Sequence, residues 1–520
     1  MDSTKGVVAA GDPQTADAGA QLLREGGNAI DAAVAAAFAA FVCELPLCSP
    51  LGGGVCVIER ENGEDLAFDL FARTPGLARD EAPPSVARDF GPITVNFGAA
   101  AQVFHIGRAS VAVPLALSGL IDLQKRFGAR PLEAVLAPAV ALAKHGYVLG
   151  KGCGYVFDIL GPIINRTPEG RALFATADGT IGGVGSHLTN TDLAQTLTDI
   201  AKRPARVAEI YAALAKEFGP DRGGLITEAD IANARMTEHA PVIVPHGDWH
   251  LATMPFPSTG GLLVALGVRL LEGVGEFAFK SKEHQLFVGR VQEALLAERD
   301  ETFRERVADR ELARAMLADE RLKVARAKAR SQLGSTTQIS AIDAHGNAVS
   351  LTLTNGEGSG FVLSGTGMMT NNILGEEDLH PKGFHKDTPG TPINTMMAPT
   401  ILARGEDRIA LGSGGSNRLR TAILQTIVGL LEFGVSATEA VHAPRLHVEI
   451  DRDSGLPRLA FETAGLAPDV AEALRAAYPS APAAFDAPNL YFGGVHCAIR
   501  IDDAFEGVGD DRRGGARVVV

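Results

Sequence analysis

Thr336 and Thr337 stand near the start of a hydroxyl-rich run, Ser335-Thr336-Thr337-Gln338-Ile339-Ser340-Ala341-Ile342. A threonine hydroxyl is a poor nucleophile at neutral pH unless a base sits beside it. The nearest base Thr336 can acquire is its own α-amine, which is freed if the Ser335-Thr336 peptide bond is cut. Thr336 would then carry both nucleophile (Oγ) and general base, and the glycine-rich segments Asn355-Gly356-Glu357-Gly358-Ser359-Gly360 and Gly412-Ser413-Gly414-Gly415-Ser416-Asn417-Arg418 offer backbone N–H groups for an oxyanion. On spacing alone, a Thr-Thr pair is more often just a β-branched pair in a sheet.

The elements around this run are legible. Ser335 to Ile342 reads as a strand, Asp343-Ala344-His345-Gly346-Asn347 supplies turn chemistry, and Ala348 to Thr354 is a second strand with period-two alternation. A hairpin folded about His345 and Gly346 pairs residues whose numbers sum to roughly 690, which places Thr354 beside Thr336 and Thr337. A helix is expected over Leu419 to Leu431, directly after the second glycine-rich segment. Upstream, Thr15 to Cys43 reads as helix, glycine corner at Gly26-Gly27, and an alanine-rich helix capped by Asn28, followed by Gly52-Gly53-Gly54 and a strand from Val55 to Glu59. Helices follow over Leu115 to Phe127 and Leu132 to Lys144. Residues 192 to 330 read as mostly helical, interrupted by the strand-like segment around Trp249, which is expected to be a packing residue.

Composition narrows the field. The 520 residues are 46% hydrophobic, enough for a large globular core, and the net charge of -14 leaves no surplus of Lys and Arg for nucleic acid or an anionic membrane. The basic stretch Arg321 to Arg330 follows a strongly acidic one and reads as the solvated side of helices. The 5 cysteines have no metal-like spacing and read as buried free thiols. HExxH, GxSxG, a Walker A loop, GxGxxG and a calcium loop are all missing, so neither a metal nor another cofactor is expected. The longest apolar run, Ala32 to Cys43, is too short to span a bilayer, and the first residues carry no export signal. A cytoplasmic chain is expected, or a periplasmic or secreted one if an export segment was removed.

The stretches TTQISAIDAHGNAVSLTLTNGEGSG, GTGMMTNNILGEEDL, MMAPT and GSGGSNR occur in this order, and together they resemble the small-subunit signature of the γ-glutamyltranspeptidase family. GDPQTADAGAQLLREGGNAIDAAVAAAFA, SPLGGGVCVIER, MPFPSTGGLLVALGVRLLEG and GVGDDRRGGA extend the resemblance over nearly the whole chain. It implies an α+β fold, the four-layer αββα sandwich of N-terminal-nucleophile (Ntn) hydrolases. One precursor would be cut between Ser335 and Thr336 into a large subunit, residues 1–335, and a small subunit, residues 336–520.

Residue by residue, the resemblance makes Thr336 the nucleophile and Thr354 the threonine that hydrogen-bonds it. Gly414 and Gly415 match the oxyanion glycines. Asn355 falls at a substrate-contacting asparagine, and Glu376 at the acid that binds the substrate's α-amino group. Asn394 and Thr395 fall near the residues that hold its α-carboxylate. Arg79 is the arginine expected to pair with that carboxylate, with Arg73 and Arg108 as rivals. Gln338 stands where the family commonly has histidine, and the seventeen residues between Glu376 and Asn394 are short for the lid loop of many members.

The implied activity is cleavage of the γ-glutamyl amide of glutathione or a related donor through a γ-glutamyl-threonine ester, resolved by water or by an amino acid or peptide amine. The alternatives are a glutaryl acylase of the same fold, which should not depend on Glu376, and an inactive binding homologue. Expected partners are these small molecules and the two subunits of one precursor, with a homo-oligomer also open.

Overall fold

A computed structural model describes residues 4–45, 47–78, 86–96, 101–297, 335–380, 382–451, 454–480 and 482–520. Arg79 and the basic stretch 321–330 lie outside the described residues.

Among the described residues, two antiparallel sheets face each other at the centre. The first has seven strands in the order Thr237–His239, Asp65–Leu70, Gly53–Glu59, Ala348–Thr354, Thr337–Asp343, Gly6–Ala10, Ala516–Val519. The second has six, in the order Val242–His246, Trp249–Thr253, Thr400–Arg404, Asp407–Gly414, Gly494–Ile501, Ala504–Val508. The strands Thr337–Asp343 and Ala348–Thr354 pack against Asp407–Gly414 across the gap.

Helices close both outer faces. Pro13–Arg24 and Ala29–Cys43 lie on the first sheet, while Thr259–Leu270 and Leu419–Leu431 lie on the second. The result is the expected αββα sandwich. Ala29–Cys43 is buried along its whole length, because its run of alanines lets a helix sit close to the sheet and to neighbouring helices at once. Asn28 and Asp31 form the capping box that starts it.

The hairpin shows how alternation sorts chemistry. Thr337 pairs with Leu353 and Ile342 with Ala348, a constant sum of 690 that matches the register read from the sequence. Side chains alternate across the pleat. Ile339, Ala341, Leu351 and Leu353 therefore join the core under the helices. Gln338, Ser340, Ser350 and Thr352 face the second sheet, where polar groups must find partners. Gln338 Nε2 donates to Ser350 Oγ at 3.0 Å, Thr352 Oγ donates to Gln338 Oε1 at 2.6 Å, and Ser350 Oγ donates to the Leu411 carbonyl at 2.7 Å. Gly412 makes room for Gln338, whose amide oxygen lies 2.2 Å from where a Cβ on residue 412 would be. By the same parity Thr336 and Thr354 face the second sheet, and Thr337 faces the helices.

Candidate active site

Ser335, Thr336, Thr354, Glu376 and Thr395 line one cleft at the end of the two sheets, together with Phe71, Asp378, Leu379, Met396, Met397, Ser416 and Leu419. Thr336 is 5% exposed and Thr354 8%, so the hydroxyls sit at the bottom of the cleft.

Ser335 is clamped at both of its backbone groups. Thr354 Oγ donates to the Ser335 carbonyl at 2.5 Å, and Ser335 N–H donates to Glu357 Oε1 at 3.2 Å. Gly356 N–H donates to Thr354 Oγ at 3.0 Å, so that oxygen accepts one bond while its proton is directed at the carbonyl. A hydroxyl donor on a peptide carbonyl stabilises negative charge developing on that oxygen.

Gly414 ends its strand against Thr336. A Cβ there would stand 2.2 Å from the Thr336 carbonyl oxygen, so only glycine permits this approach. Gly415 follows at φ 121, which turns the chain toward the short 3-10 turn and the helix Leu419–Leu431.

Glu376 lies in the cleft with Glu357 and Asp378 close by. Burial, reinforced by Glu357 and Asp378, raises its pKa well above the usual carboxylate range. Burial likewise pushes Glu357 up to about 8, with Asp378 adding to the rise and the Ser335 N–H opposing it. Three acids gathered at one wall suit a cationic group, since a positive charge would offset both their desolvation and their mutual repulsion.

The remaining sequence-derived residues sit differently. Thr395 presents its side chain to the backbone N–H of Met397. Asn394 Oδ1 accepts from Thr259 Oγ at 3.0 Å, and its buried Nδ2 has no hydrogen-bond partner among the described residues. Asn355 is wholly buried beneath the loop, where its Nδ2 lies 3.5 Å from the Thr370 carbonyl. Arg73 is paired with buried Asp69 at 2.8 Å, and Arg108 with Asp89 at 3.5 Å, so both rivals of Arg79 are engaged away from the cleft. The strap between Glu376 and Asn394 is tied down: Thr74 N–H donates to the Thr391 carbonyl, Gly390 N–H donates to the Thr74 carbonyl, and His380 meets Asp387 at 2.7 Å.

Three neighbours were not singled out from the sequence. Glu357 stood in a segment valued for its glycines. Glu44, at the end of the alanine-rich helix, accepts from Thr337 Oγ at 2.5 Å and from Thr15 Oγ at 2.7 Å; burial, with Asp12 nearby, pushes its pKa up to about 7. A lone acid after twelve apolar residues was the available signal. Arg513 lies over the glycines, its guanidinium nitrogens 3.3 and 3.4 Å from where side chains on Gly414 and Gly415 would begin. All five cysteines are buried and free, and Trp249 stacks under Arg404 at 4.6 Å.

Comparison with known proteins places this geometry in context. An acylase, the ACY 1 proenzyme of Pseudomonas sp. strain SE83, is 31% identical over 466 residues, covering 86% of this chain and 83% of the relative. The glutathione hydrolase proenzyme of Escherichia coli K12 is 25% identical over 481 residues, covering 85% and 81%. The crystal structure of a cephalosporin acylase from Bacillus halodurans superposes with a TM-score of 0.77 over 99% of this chain and 96% of that one, and at 22% identity it shows a shared fold. No helix among the described residues is long and apolar enough to cross a membrane. The family model for γ-glutamyltranspeptidase matches residues 15–520, and with a relative above 30% identity over most of both chains, this protein belongs to the γ-glutamyltranspeptidase family.

Proposed function

We propose that the chain is a precursor that cuts itself between Ser335 and Thr336 and then acts as a γ-glutamyl hydrolase or transferase. The clamp on Ser335, with Thr354 Oγ donating to the carbonyl of the bond to be cut, is the observation that carries this reading. In activation, Thr336 Oγ adds to the Ser335 carbonyl carbon. The bond to the Thr336 nitrogen breaks as that nitrogen takes the proton, and water opens the resulting ester. The products are residues 1–335, ending in a carboxylate, and residues 336–520, beginning with a free amine.

In turnover, the neutral amine of Thr336 accepts the hydroxyl proton while Oγ attacks the γ-amide carbonyl of the donor. Backbone N–H groups of Gly414 and Gly415 hold the oxyanion, and the leaving amine takes the proton back from the ammonium. Water or an amine then cleaves the γ-glutamyl-threonine ester. Glu376, supported by Glu357 and Asp378, takes the donor's α-ammonium. Asn394 and Thr395 form the side proposed for its α-carboxylate, Arg79 is the arginine assigned to that group from the family resemblance, and Asn355 braces the loop beneath.

The likeness to an acylase supports a second reading, in which the acyl group is glutaryl or another dicarboxylic group without an α-amine. The acidic wall favours the first, because an ammonium lets these buried acids ionise against a positive charge, whereas a methylene offers them nothing. Rates with γ-glutamyl-p-nitroanilide and glutaryl-p-nitroanilide separate them. A kcat/KM at least tenfold higher for the γ-glutamyl compound is expected, and a preference for glutaryl that persists in Glu376→Gln would overturn the assignment.

A further inference from the structure

A second group of chemistry-bearing side chains lies at the other end of the sandwich. Glu59 closes the strand Gly53–Glu59 and pairs with Asp65, the first residue of the next strand. On the same strand Gly53 pairs with Thr354 at the cleft, so six residues, or about 20 Å of extended chain, separate the two places. From the facing sheet His250 and Arg408 reach the same spot. His250 Nε2 is 4.0 Å from Glu59 Oε1 and 3.7 Å from Asp65 Oδ2.

The local charges do not satisfy one another. Arg408 Nε approaches Glu59 Oε1 at 2.9 Å, while its Nη1 is committed to the carbonyls of Gly405 and Asp407. Glu59 is 2% exposed, and among the described residues its Oε2 has no hydrogen-bond partner; neither does the buried Oδ1 of Asp65. Buried carboxylate oxygens without partners are costly. One ligand atom from each of Glu59, Asp65 and His250 lies within 4.8 Å of the others, and the half-exposed imidazole leaves a way in from solvent.

We propose that Glu59, Asp65 and His250 bind a divalent transition-metal ion of the zinc class, which ties the two sheets together at the end remote from Thr336. Two carboxylates and one imidazole are a donor set that zinc accepts, with water completing the shell. Bond lengths of about 2.0–2.2 Å would draw the donors together by about 1 Å, within the reach of side-chain rotation. Arg408 offsets part of the acidic charge and so holds the affinity below that of a closed four-ligand structural site. No spacing motif marks this set, because its members are scattered over three strands.

Titration of untagged, chelator-treated protein with ZnCl2 in a calorimeter, with thermal melts alongside, tests the proposal. The expected result is one equivalent bound and a melting point raised by several degrees, with both effects lost in Asp65→Asn and His250→Ala. His250 is half-exposed, so its variant should fold even where a change at Glu59 does not. An absence of binding, or zinc binding that survives both substitutions, would overturn the proposal and leave an ion-pair cluster only.

Discussion

At the residue scale, the proposed self-cleavage depends on how the Ser335 carbonyl and the Thr336 hydroxyl are held. Thr354 spends its proton on that carbonyl, so Thr354→Val, which keeps the shape and deletes the donor, should slow self-cleavage by about 100-fold, the usual effect of removing one oxyanion donor. A time course on denaturing gels measures this, and an unchanged rate would remove Thr354 from the mechanism. The acid wall makes a separate prediction. Because burial and its acidic neighbours raise the pKa of Glu376, and Glu357 lies at about 8, binding of a donor α-ammonium should pull these groups down and release protons at pH 7. Calorimetry of a non-hydrolysable donor analogue in buffers of different ionisation enthalpy reads that release, and Glu376→Gln should abolish most of it.

At the element scale, the alanine-rich helix carries Glu44 to the underside of the strand that starts at Thr337. Its folded pKa of about 7 lies above the ordinary value of 4.5. The folded state therefore holds this proton more tightly than the unfolded chain does. The stabilising protonated form is fully present below about pH 4.5, and stability is lost as pH rises through 7, by roughly 3 kcal/mol for this group. In an uncleaved Thr336→Ala background, adding Glu44→Gln should flatten the fall in melting temperature between pH 5 and 8, and an identical slope would contradict this. The hairpin, the helix Leu419–Leu431 and the capped helix after Asn28 were legible because turn residues, caps and periodicity agreed. The helix Lys151–Ile164 was not, because Gly152, Gly154, Gly161 and Pro162 give it the composition of a loop, and only packing of Phe157, Leu160 and Ile163 into the core holds it as a helix. Thr354 beside Thr336 followed from register arithmetic, whereas its bond to the Ser335 carbonyl is visible only in the structure. Glu44 and Arg513 did not, since their nearness to Thr337 and Gly414 arises from the layering of distant segments. The roles proposed for Thr336, Gly414 and Glu376 came from family resemblance; spacing alone left Thr336 as an ordinary strand residue.

At the scale of the whole molecule, the proposed cut falls where separation is hardest. The strands Thr337–Asp343 and Ala348–Thr354 lie in the middle of the first sheet, flanked by Gly6–Ala10 and Gly53–Glu59 from the other side of the cut. Ala516–Val519 returns to pair with Gly6–Ala10. The two fragments should therefore share one core and elute as one particle in native gel filtration, coming apart only in denaturant. Fragments 1–335 and 336–520 made separately should fail to fold, each leaving open sheet edges and half a core. Independent folding of either would contradict the single-sandwich account.

The central claim is that Thr336 acts from a newly made amino terminus. Intact mass measurement of the active, denatured protein tests it most directly. The account predicts two species whose masses correspond to residues 1–335 and 336–520, and a single species of 54.3 kDa for Thr336→Ala. Full activity from an uncut 54.3 kDa chain, or a cut at another bond, would contradict it.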